Sequence, residues 1–139
     1  MQRSRSKRIS CYIIAFVFVA AGLLHFARPS MYVAIMPSYI PFHWAMVYIS
    51  GVFEILGGLG VLWHGSRHWA GYGLAVLLVA VFPANIHMAL HPDPFNMASW
   101  LLWFRLPLQF VLIVWVLWAT RSTTNHTSPP VSDHNASTF

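Results

Sequence analysis

The chain has 139 residues, of which 58% are hydrophobic and only 8% charged, whereas soluble domains carry about a quarter charged residues. That balance excludes an ordinary water-soluble fold. The formal charge of +5 does not point to nucleic acid either: Arg3, Arg5, Lys7 and Arg8 precede the first apolar run and the other basic residues are scattered singly, which fits an anchor beside anionic lipid and leaves no basic face interleaved with aromatics.

The first apolar run covers residues 9–27. A basic start before such a run is also how a secretory signal begins. This run is longer than a typical signal core, and the stretch His25-Phe26-Ala27-Arg28-Pro29 makes a poor cleavage site, so a retained span is expected. Its Cys11 is the only cysteine of the chain, which rules out an internal disulfide and CxxC-type dithiol exchange. Residues 28–43 follow, with Pro29, Pro37 and Pro41 around the apolar stretch 31–36, and read as a short interfacial helix lying over the outer mouth. Further apolar runs cover residues 44–63, 69–90 and 100–119. The segment His91-Pro92-Asp93-Pro94 between the last two is a helix-stopping turn. Residues 121–139 are rich in Ser, Thr, Asn, His and Pro without apolar periodicity, and are expected to be disordered.

Each long run is close to the roughly 20 residues that a helix needs to cross the hydrocarbon core. Continuous apolar runs without alternation select helices over a barrel. The expected fold is therefore an all-α membrane protein, a four-helix transmembrane bundle over residues 9–120 with a short interfacial outer helix between helices 1 and 2. A basic N-terminus (residues 1–8) precedes the bundle and the tail follows it. All seven tryptophans fall within about one turn of an expected helix end, as an aromatic belt requires. With the N-terminus inside, Arg67 and Arg121 also lie inside and only Arg28 occupies an outer loop, so both termini are expected on the cytoplasmic side. On that side the glycosylation sequons at Asn125 and Asn135 have no role.

Few polar side chains remain at membrane depth: His25, Ser50, Glu54, Asn85, His87, Arg105 and Gln109. Ionisable groups there cost several kcal/mol unless paired or hydrated, so they point into the bundle and need partners. Counting helix rise from the outer ends puts Asn85 and Arg105 about 7 Å deep, His25 and His87 shallower, and Glu54 and Gln109 about 14 Å deep. All fall in the outer half. Glu54 and Arg105, the one acid and the one strong base at this depth, are the expected pair, with Arg105 and Gln109 four apart on one helix face. Ser50, Glu54 and Gly58 form a stripe beside Gly57, which points Glu54 at a helix interface. Pro83 and Pro107 free the carbonyls of Val79 and Trp103, for which Asn85, Arg105 or water are the candidate donors.

Two readings of this constellation stay open. In one it is a hydrogen-bonded adhesive between helices and binds nothing. In the other, Glu54, Arg105, Asn85, Gln109, His25 and His87 line a polar cavity for a quinone-like, carbonyl or protonatable ligand. His64 with His68, and His87 with His91, have the four-residue spacing that a haem or metal site could use, but they sit at helix ends without a second carboxylate or a cysteine, so neither group is expected. Soluble-type hydrolytic chemistry lacks its motifs, and no catalytic set is expected.

The segments AGLLHFARPSMYVAIMPSYIP, SGVFEILGGLGVL, AGYGLAVLLVAVFPANIHMA and WFRLPLQFVLIVW resemble the DoxX-like family of small four-helix membrane proteins, from Ala21 to Trp115. The matching motif positions are His25, Pro29, Tyr32, Pro37, Glu54, Gly57, Gly58, Pro83, Asn85, Arg105, Pro107 and Gln109. The resemblance implies a bacterial inner-membrane protein tied to quinone-linked oxidoreductase systems, with an oxidoreductase partner. The cysteine pairs of a thiol-oxidising relative are missing here. The leading expectation is an accessory or ligand-binding subunit. Its rivals are a redox-active quinone- or haem-binding enzyme subunit and a small transporter or proton pathway, the last requiring a homo-oligomer.

Overall fold

A computed structural model describes residues 4–91 and 98–121, and every regular element in it is an α-helix. Four long helices, α1 (Arg5–Ala27), α3 (His43–Leu62), α4 (Arg67–Leu90) and α5 (Ser99–Thr120), are long and apolar enough to cross a membrane. The short α2 (Pro29–Ala34) lies between the first two, with proline at its first position, where no backbone N–H is needed. The expected tail beyond Arg121 and the Pro92-Asp93-Pro94 part of the turn lie outside the described residues.

Helix α1 starts at Arg5, earlier than the expected position 9, because a helix can run past the bilayer edge when its charged residues reach water. Lys7 does so beside Trp118, with its ammonium 5.6 Å from the ring centre. The other long helices start or stop within two residues of expectation.

The helices pack in the ring α1, α3, α4, α5, closed by α1 against α5. The start of α1 and the end of α5 come together at one end, here the terminal end, where the Cys11 thiol reaches the Ala119 carbonyl and Trp115 Nε1 donates to Ser10 Oγ at 3.2 Å. Trp115 thus leaves the aromatic belt to tie two helices together. Between α1 and α3 the backbones nearly touch: a Cβ on Gly22 would stand 2.7 Å from the Gly51 carbonyl, and one on Gly58 3.1 Å from that of Ala15. Only glycine permits such an approach. The expected small stripe is therefore shared differently. Gly51 and Gly58 meet α1, whereas Gly57 makes room for Leu74 of α4.

Cys11, Ile14, Phe18, Val61, Leu74 and Val116 form a dry core at the terminal end. At the other end, the α2 end, Met88, Ala89 and Leu102 form a smaller cluster against which Ile35 packs. The segment after α2 is thereby held over the bundle. His43 Nε2 donates to the Pro37 carbonyl at 3.0 Å and closes the turn into α3, whose N-cap Phe42 takes the left-handed conformation. The outer surface is apolar, with Phe16 76% and Val76 68% exposed, as lipid-facing positions should be.

A polar cavity as the candidate functional site

A cavity of about 320 Å³ lies between the four long helices toward the α2 end, within the roughly 300–1,000 Å³ of small-molecule sites. Five of the six expected site residues line it: His25, Glu54, Asn85, Arg105 and Gln109. Tyr32 from α2 and Ser50 from α3 join them. Helical spacing explains the gathering. Ser50 with Glu54, and Arg105 with Gln109, are four apart, while Leu78, Val81 and Asn85 follow each other at three and four residues on α4, so each set shares one face.

His87 does not join them. It lies two residues beyond Asn85, about 200° around the helix, and its ring stacks on His91 with centroids 4.4 Å apart. His91 in turn bonds the His87 carbonyl. Among the described residues no three His, Cys, Asp or Glu side chains come together as a metal-holding group.

The expected Glu54–Arg105 ion pair is not formed either. The ionisable side chain nearest Glu54 is His25, whose Nδ1 stands 3.3 Å from Glu54 Oε2. Nδ1 also lies 2.9 Å from the Ala21 carbonyl. A carbonyl only accepts, so Nδ1 carries the proton and its hydrogen bond goes to Ala21. Glu54 Oε2 is left buried without a hydrogen-bond donor, a 3.3 Å approach notwithstanding. Arg105 is more exposed and makes no hydrogen bond or ion pair among the described residues, consistent with a long side chain that keeps its head away from apolar surface. The pairing fails because Glu54 on α3 and Arg105 on α5 line the same cavity from different helices without their charged ends meeting.

The amides of the cavity are satisfied. Asn85 Nδ2 donates to Gln109 Oε1 at 2.7 Å, and Gln109 Nε2 donates to the Leu78 carbonyl. The carbonyl fixes the orientation of the Gln109 amide, and Gln109 in turn fixes that of Asn85. Gln109 is thus the donor serving the proline-broken stretch of α4, and its acceptor is Leu78, one residue before the expected Val79. The ring of His25 stacks on Tyr32 at 3.8 Å, tying α2 to the cavity. Burial raises the phenol of Tyr32 above its ordinary range, the Glu54 charge adds to that shift, and Arg105 opposes it. Tyr32 therefore stays a hydroxyl donor.

The cavity consequently offers a buried acceptor at Glu54 Oε2 and donors at Tyr32, Ser50 and Arg105, none of which has a hydrogen-bond partner among the described residues. Its remaining lining, such as Phe18, Met36, Val47 and Leu112, is apolar. Sequence reading underrated Tyr32 and Ser50, which spacing to Glu54 and the position over the mouth could have added.

Fold and cavity together define an all-α integral membrane protein with a polar chamber at one end of its bundle. Residues 14–120 match the family described as Domain of unknown function (DUF8561), and the chain belongs to that family. The cavity lining, from Val17 to Leu112, lies wholly inside the matched span. No curated protein and no solved structure matches the chain.

Proposed function

We propose that the protein is an accessory, ligand-binding membrane subunit whose cavity receives the head of a lipid-soluble, quinone-like molecule. The observation that carries this reading is the unpaired, buried Glu54 Oε2 facing the same chamber as the unpaired donors of Tyr32, Ser50 and Arg105. A buried polar atom without a partner costs about 1–3 kcal/mol, and a ligand that supplies both a hydroxyl and a carbonyl recovers that loss. A quinol ring, whose hydroxyls donate and accept, meets Glu54 as well as the facing donors on an otherwise apolar body, and a quinone ring meets the donors alone. The DoxX-like resemblance of the motif positions adds the expectation of a quinone-linked oxidoreductase partner.

Val17 on α1 and Leu108 on α5 line the cavity and are themselves exposed on the lipid-facing surface, which supports arrival of the ligand from the bilayer. The proposal puts both termini on the cytoplasmic side of a bacterial inner membrane, since Arg5, Lys7, Arg8, Arg67 and Arg121 belong to the terminal end and Arg28 to the other. The cavity then opens toward the outer leaflet.

Organic extraction of protein purified in mild detergent tests the reading. Wild type should yield a quinone in near-stoichiometric amount by mass spectrometry, and Ala84→Trp, which fills the cavity without removing a polar group, should yield little. Equal recovery from both proteins would refute it.

A further inference from the structure

A second recess opens at the terminal end, on the far side of the dry core from the polar cavity. It measures about 150 Å³ and is lined by Arg8, Cys11, Tyr12, Leu62, His64 and Arg67. Arg67 is held there: its Nε donates to the Val61 carbonyl at 2.7 Å, one Nη to that of Leu62 at 3.0 Å, and the other lies 3.4 Å from His64 Nδ1. These bonds satisfy the end carbonyls of α3 and use three of the five N–H groups of the guanidinium. Arg8 has no hydrogen-bonded or ionic partner for its side chain among the described residues, while its neighbour Lys7 is turned to Trp118. The sole carboxylate side chain among the described residues, Glu54, lies in the other cavity. Two guanidinium groups therefore share a small recess without a counter-ion.

An apolar groove of about 350 Å³ adjoins this recess and shares Tyr12 and Leu62 with it. Ala15, Phe16, Val19 and Leu23 of α1 form one side and Leu59 of α3 the other. From Tyr12 to Leu23 the groove follows α1 for about 16 Å at helical rise. That is close to one leaflet, about half of a 30 Å hydrocarbon core. A cationic recess at the membrane surface that continues into a leaflet-long apolar groove matches the two chemistries of one molecule.

We propose that this surface holds one anionic glycerophospholipid, its phosphate between Arg8 and Arg67 and one acyl chain in the groove. The phosphate supplies the missing counter-charge, with Arg67 already held in place and two of its five N–H groups left for it. The site is independent of the quinone-like ligand proposed above.

The test is native mass spectrometry of the delipidated full chain, titrated with dioleoyl phosphatidylglycerol or dioleoyl phosphatidylcholine. One phosphatidylglycerol should be retained per chain, with a preference of at least about tenfold over phosphatidylcholine. Arg8→Gln should weaken retention about fivefold. Ala20→Trp, which blocks the groove and leaves both arginines, should weaken it at least as much, and Arg5→Gln, outside the recess, should not. Arg67 is left intact because it also caps α3. Equal weakening by Arg5→Gln would mean a diffuse basic surface and overturn the proposal. So would equal retention of phosphatidylcholine, an unaffected Ala20→Trp, or chain-free glycerophosphoglycerol binding as well as the intact lipid.

Discussion

At the terminal end, Ile14, Phe18, Leu74 and Val116 close into a dry core, whereas at the α2 end the same four helices stand around a cavity of about 320 Å³. The difference starts in the sequence. Large apolar side chains fill the first region, while the second receives polar residues at four-residue spacing and prolines in α4 and α5. Apolar packing holds the bundle without leaving polar demands. The polar half keeps Asn85, Gln109 and the Leu78 carbonyl satisfied, yet leaves Glu54 Oε2 without a donor. Satisfied and unsatisfied polar groups thus line one chamber, the first set tying α4 to α5 and the second left without hydrogen-bond partners among the described residues.

The sharpest way to break this division is through the glycine seam. In Gly51→Val the new Cβ meets His25 Cβ at 2.8 Å and the Gly22 carbonyl at 3.0 Å, so backbone must move. A loss of about 3 kcal/mol is expected, seen as lost monodisperse protein in size-exclusion chromatography. Next come the satisfied amides. Gln109→Leu removes the bonds to Asn85 and Leu78, and should cost about 1–2 kcal/mol in a detergent unfolding titration. The unsatisfied groups should respond least. In a double-mutant cycle on Glu54→Gln and Arg105→Gln, the coupling should stay below about 0.5 kcal/mol, because the two side chains share the cavity without pairing. A coupling of 1 kcal/mol or more would restore the direct ion pair.

Much of the architecture was readable in advance because hydropathy and proline placement act locally. The four spans, the helix of Pro29–Ala34 and the gathering of most of the polar set toward the α2 end all followed from length, rise and turn chemistry. Choosing partners inside the set was harder. Opposite charge within the reach of an arginine side chain favoured Glu54 with Arg105, but contact depends on helix rotation and on how far α5 stands from α3, neither of which hydropathy records. His87 was avoidable, since two residues beyond Asn85 is nearly the opposite face. The His25 contact with Glu54 depends on the close approach at Gly22 and Gly51, which turns two ordinary helix faces toward each other and leaves little trace in residue spacing.

The claim that the α2-end chamber is a ligand site is tested most directly by titrating a short-tailed benzoquinone into purified protein and following thermal unfolding. Wild type should show a saturable rise in Tm, as expected when a ligand binds the folded state alone. Ala84→Trp should show none. An identical rise in both proteins, or no rise in wild type at saturating quinone, would contradict it.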